Sequence, residues 1–222
     1  MSQLKVNQIK AKLMSLFSPH LDLADISAKD KEREQKILTR CLAAMAIYLQ
    51  TACTEKEAAA AVWDGADDNG IDAACYDQAE SRVIFVQSKW INKGSGEPEA
   101  KEIAPFVKGV KDAVEQDQTD FHPRLTAQLK DIFLRLGSPG TSVHLVLVTT
   151  GSSQLAKHGT SQLNGLLSEL NGNDPDPIAS AEVMGISEVY SGLANAPLQG
   201  NLSLDATILD WSFVSMPHPA YF

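Results

Sequence analysis

Residues 67–90 read DDNGIDAACYDQAESRVIFVQSKW, and they hold the side chains best suited to chemistry. If a hairpin turn is centred between Ala79 and Glu80, antiparallel pairing sets Asp72 opposite Gln87, and cross-strand partners share a face. Lys89 lies two residues beyond Gln87, so the period of two carries it to that same face. A carboxylate, an amide oxygen and an ammonium group then meet at one end of a hairpin. Polar groups gathered at the end of a buried strand cost free energy unless they satisfy one another or hold something. A hard divalent cation, Mg²⁺ or Mn²⁺, takes such oxygen ligands and lowers the pKa of a bound water. Lys89 would orient that water or neutralise charge growing on phosphoryl oxygens. Asp64, Asp67 and Asp68 are ordinary turn formers in Asp-Gly and Asp-Asn-Gly contexts, and Asp68 is the one we add to the ligand set. A calcium loop of the EF-hand type is excluded, because aligning Gly70 at its sixth position puts Gly65 at the first and Tyr76 at the twelfth, where carboxylates are required.

The elements that must position these groups follow from periodicity. Apolar residues recur at helical spacing over 4–18, and a connector with a cap at Ser27 leads to a long helix over 29–51. Its stripe holds Leu38, Cys41, Leu42, Met45, Tyr48 and Leu49. Glu34 precedes Leu38 by four and Cys41 by seven, so it extends the stripe at the first turn and is the expected fourth site residue; Glu32 falls off the stripe and ranks second. A Thr54/Glu57 capping box opens a shorter helix ending at Asp64-Gly65. Strands are expected over 70–77 and 82–90. The second is apolar on both faces, as a central strand covered by helices on two sides should be. Helices near 98–116 and 121–136, a strand over 141–150, a helix over 152–170, a strand near 180–184, a helix near 186–193 and one or two strands within 202–215 complete a mixed α/β fold.

Composition narrows the setting. The chain has 222 residues, 44% of them hydrophobic, enough for one sizeable core. Its formal charge of −9 argues against a basic nucleic-acid coat or packaging role, though not against an enzyme that concentrates carboxylates at a metal site. Three cysteines with no CxxC pair support neither a disulfide framework nor a zinc knuckle, so a reducing cytoplasm is expected. No stretch approaches the roughly 20 apolar residues of a membrane span. Trp63 and Trp90 read as packing residues before base-stacking ones, Lys93 as a solvated loop lysine, and the Thr149–Ser153 run as helix capping.

The stretch GID followed by an apolar strand ending QSK resembles the PD-(D/E)XK nuclease superfamily in its Mrr-like form, where Gln replaces the second acid. The fuller pattern, a helix running into WDGADDNGIDAACYD, then VIFVQSKW, a Gly-rich loop and the helix EAKEIAPFVKGVKDAV, resembles the N-terminal domain of the abortive infection phage resistance (AIPR) family. The resemblance covers about residues 55–115. It implies a restriction-endonuclease-like core with helices on both faces of a mixed sheet, metal-dependent cleavage of DNA (before RNA), and a role in bacterial phage defence. By motif position Asp72 is the metal-binding aspartate, Gln87 the second ligand and Lys89 the lysine. Members of that family are longer chains, so this one reads as an N-terminal part: an appendage at 1–27, the nuclease-like domain at 28–216 and a tail at 217–222, with a homodimer as an expected assembly. The alternative is a non-catalytic module that keeps the scaffold to bind nucleic acid or to assemble a larger defence protein.

Overall fold

The computed structural model describes residues 3–65, 67–96 and 100–199. Four strands form one mixed sheet in the order β1-β2-β3-β4. They are β1 (Ala73–Asp77), β2 (Arg82–Lys89), β3 (Ser142–Thr149) and β4 (Ala179–Met184). The first pair is antiparallel, whereas β3 runs parallel to β2 and β4 parallel to β3. Arg82–Lys89 lies between two neighbours, as its sequence demands. Val83 and Phe85 point into one apolar layer, Ile84 and Val86 into the other, and all four are fully buried. Burying a side chain such as Phe85 contributes about 1.5–3 kcal/mol, so a polar residue at any of these positions would break the layer.

Seven α-helices among the described residues cover the sheet: α1 (Gln3–Leu16), α2 (Arg33–Gln50), α3 (Glu55–Ala60), α4 (Ala100–Val114), α5 (Thr126–Leu136), α6 (Lys157–Asn171) and α7 (Ile186–Gln199). On one face lie α2, against β1, β2 and β3, and α7, against β3 and β4, with α1 packed on both helices. On the other lie α4, α5 and α6. Ala43, Ala44 and Ala46 leave α2 slim enough to be buried almost all round. The helix of the segment set apart at 1–27 packs into this same layer through Val6, Ile9, Leu13 and Phe17.

Helix starts depart most from the sequence reading. Ser27 Oγ accepts the Lys29 amide and Asp30 Oδ1 the Glu32 amide. These local turns compete with helix, so α2 begins at Arg33 and not near 29. Similarly, Ser152 Oγ accepts from the Gln154 amide and the Ser152 amide donates to Gly96 O, which delays α6 to Lys157. The Thr54/Glu57 capping box forms as expected. Strands expected within 202–215 and the tail at 217–222 lie outside the described residues. Among the described residues no helix is long and apolar enough to cross a membrane.

Candidate metal centre

The hairpin turn falls where the sequence places it. Ala73 pairs with Val86 and Asp77 with Arg82; one residue further out the Asp72 amide donates to Val86 O at 2.9 Å, a step out of that register, and it is the side chains of Asp72 and Gln87 that meet, at 3.0 Å. The outer edge of β1 is not left bare. Val62 bridges Ala73 in antiparallel fashion, and the amides of Trp63 and Asp64 donate to Asp72 O at 2.7 and 3.0 Å. This returning segment brings Asp64 alongside Asp72. Strand edges need such cover; here the cover also delivers a carboxylate.

Asp68 reaches the same place through a tight loop. Its Oδ1 accepts the Gly70 amide at 2.8 Å and its Oδ2 the Gly65 amide at 3.2 Å. Gly70 has φ +75°, and a Cβ there would meet the Pro105 carbonyl carbon at 2.5 Å, so only glycine fits between the loop and α4. On the loop's far side Asn69 Nδ2 donates to Asp112 Oδ2 at 2.7 Å, and Lys108 pairs with that carboxylate at 2.6 Å. The loop is therefore pinned to α4 at both its polar and its crowded points.

Ligand oxygens of Asp64, Asp68 and Asp72 all come within 4.8 Å of one another. Three negative groups so close repel, and burial adds to the cost of ionising them. Burial, then the Asp64 charge, holds the Asp72 carboxyl well above its ordinary range, against the opposing pull of the Ser88 donors. Burial likewise raises Asp64, with Arg40 pulling it back, and raises Asp68 against the Gly70 and Gly65 amides. Beside this cluster opens a cleft of about 230 Å³, walled by Gln35 and Thr39 of α2, Asp64, Asp72, and Gln87, Ser88 and Lys89 at the end of β2. All the ligand atoms are oxygens or amides, a set that suits a hard cation.

Of the residues expected from sequence, Asp72, Gln87 and Lys89 line this one cleft, and Asp68 joins Asp72 in the acid cluster. The structure does not bring Glu34 to it. The Glu34 carboxylate is exposed and pairs with Lys10 of α1 at 2.7 Å, while the next residue, Gln35, lines the cleft. One residue turns a helix by about 100°, and a helix buried nearly all round has an apolar stripe that does not single out its sheet-facing side. Trp63 and Trp90 are core residues, as read.

Two arginines that hold the segment carrying Asp64 are missing from the set expected from sequence. Arg40, 3% exposed, clamps Asp25 through two nitrogens at 2.8 and 2.6 Å, donates to Asp22 O at 2.7 Å and holds Asp64 Oδ2 through Nε at 3.1 Å. Arg124 donates to the carbonyls of Trp63 and Asp64, fixing the segment that carries the acid. A lone arginine inside the apolar run Ile37–Ile47 was the available signal for Arg40; nothing local marks Arg124. Compared with known proteins, the chain matches no protein-family model, no curated protein and no solved structure.

Proposed function

We propose that the protein is a divalent-metal-dependent nuclease, hydrolysing phosphodiester bonds of DNA or RNA in phage defence. One observation carries this reading: two carboxylates, Asp64 and Asp72, line one cleft with the Gln87 amide and Lys89 at the open end of a central hairpin, and a third, Asp68, stands within 4.8 Å of both. A mixed sheet with an antiparallel hairpin joined to parallel strands, and helices on both faces, is compatible with a restriction-endonuclease-like core. The defence role rests on the motif resemblance alone.

The residues fit a hard cation. Asp72 Oδ1 accepts no hydrogen bond among the described residues, and Asp64 has one oxygen on Arg40, leaving its second for a ligand. Gln87 donates Nε2 to Asp72 Oδ2 at 3.0 Å, so turning the amide over presents its oxygen instead. Mg²⁺ or Mn²⁺ bound there would supply a water of lowered pKa and a counter-charge for the phosphoryl oxygens. Lys89, on the Gln87 face of β2, would orient a water there or meet the developing charge. Arg40 offsets part of the acid cluster's charge and keeps Asp64 in place.

The second reading, a nuclease-fold module that binds without cleaving, is favoured by one feature: α2 offers the cleft Gln35 and Thr39, and no acid. Cleavage of plasmid, single-stranded DNA and RNA with Mg²⁺ or Mn²⁺ separates the two. Loss of cleavage in both Asp72→Ala and Lys89→Ala, with folding kept, supports the enzyme. Wild-type rates in both would remove the assignment.

A further inference from the structure

We infer that Ser88 is a positioning residue for the metal centre: its amide and hydroxyl together hold one oxygen of Asp72, so that the other is aimed at the cation and Gln87 is released to become a ligand. This inference rests on the reading of the cleft as a metal site.

The strand alternation makes Ser88 an unexpected participant. Gln87 and Lys89 point to the α4 side of the sheet, whereas Ser88 points toward α2. Yet Ser88, 2% exposed, meets the Asp72 carboxylate, because Asp72 lies just beyond the end of β1, where its amide donates to Val86 O and the strict alternation of the ladder no longer holds. Asp72 Oδ2 accepts the Ser88 amide at 2.6 Å, the Ser88 hydroxyl at 2.7 Å and Gln87 Nε2 at 3.0 Å. An oxygen with two lone pairs is crowded by three donors. The longest of the three is the Gln87 contact, and it is the one that can leave.

The Ser88 hydroxyl has a second acceptor in range, Thr39 O of α2 at 3.1 Å. It has only one proton to give. Thr39 O lies inside α2, where the amide four residues on already donates to it. The carboxylate is the shorter contact and, when ionised, the stronger acceptor. The proton therefore goes to Asp72 when that carboxylate is ionised, and Thr39 O is the alternative acceptor that keeps the hydroxyl against the helix. Through Ser88 the position of α2 is coupled to the direction of the Asp72 carboxylate. Partners that orient a ligating carboxylate typically matter by about 10- to 100-fold in metal affinity, and Ser88 supplies two of the three contacts on this one.

Titration of the full chain with Mn²⁺ by calorimetry, on wild type, Ser88→Ala, Ser88→Thr, Asp72→Asn and Ser88→Ala/Asp72→Asn, tests the inference. Ser88→Ala should weaken Mn²⁺ binding by about 10-fold or more while the melting temperature stays close to wild type. Ser88→Thr, which keeps the hydroxyl, should recover most of that affinity. In the Asp72→Asn background the Ser88→Ala change should add little. Wild-type Mn²⁺ affinity in a folded Ser88→Ala protein overturns the role, and so does an equal loss with and without Asp72, which marks a structural effect. If wild type itself binds no Mn²⁺, the metal-site reading fails, a result distinct from either.

Discussion

The hairpin β1–β2 carries an aspartate at each end, and the two ends are built on different rules. At the closed end Asp77 faces Arg82 in register and pairs with it at 3.1 Å, and Arg82 also donates to Gln50 O at the end of α2. Gln50 in turn donates to Glu182 of β4, so the network ties helix to sheet and leaves no acid without a donor. At the open end Asp72 faces a neutral amide, and the acids nearest it are Asp64 and Asp68. Paired charge at one end makes a latch. At the other end like charge is gathered with Arg40 as a partial counter-charge, and a bound cation would relieve the remaining repulsion.

The contrast is open to direct attack, and the largest effect belongs to the open end. Asp72→Ala or Lys89→Ala should lower cleavage by at least about 100-fold, while circular dichroism shows the fold retained. Asp77→Asn should do the reverse. Breaking a pair whose acid is buried should cost about 1–3 kcal/mol in denaturant unfolding and leave the cleavage rate unchanged. Equal catalytic loss from both would erase the distinction between the ends.

A pH series probes the same difference at smaller scale. Asp72 in the fold holds its proton more tightly than in the unfolded chain, so between the ordinary value of 3.8 and its raised value the native state binds more protons. Stability from this group must then fall as pH rises through that window and be recovered as pH is lowered. The acid Asp25, held below its usual range by Arg40, acts in the opposite sense at the low end. Comparison with Asp72→Asn isolates the open end: the metal-free wild type should lose melting temperature relative to the variant as pH rises, and saturating Mn²⁺ should remove the difference. A wild type and variant that run parallel at every pH would count against a charge-strained cluster.

The smallest effect is expected at Glu34. Its ion pair with Lys10 is exposed, worth at most about 1 kcal/mol, and Glu34→Ala should leave cleavage untouched. A large catalytic loss in that variant would return the helical acid to the site and revise the role of Gln35.

How much the sequence reveals depends on whether a feature is local. The register of β1 against β2 from Ala73 to Asp77 follows from turn symmetry, and the central place of β2 follows from its two apolar faces; both are properties of about twenty consecutive residues. The direction of Glu34 is different, because a shift of the helix start and a lysine on another helix decide it. Asp64 is brought to Asp72 by the backbone bridge at Val62, which no hydropathy pattern announces. Arg40 ties together residues 22, 25 and 64, whose closeness exists only after α1, α2 and the hairpin have packed.

If the open end of the hairpin is a metal site, its acids hold one hard cation. A crystal grown or soaked with Mn²⁺ and measured at a wavelength giving anomalous signal tests it most directly. A single peak is expected about 2.0–2.3 Å from oxygens of Asp72 and Asp64, with the Gln87 amide turned toward it. A fully ordered cleft without a peak at millimolar Mn²⁺, with Gln87 still donating to Asp72, would contradict it.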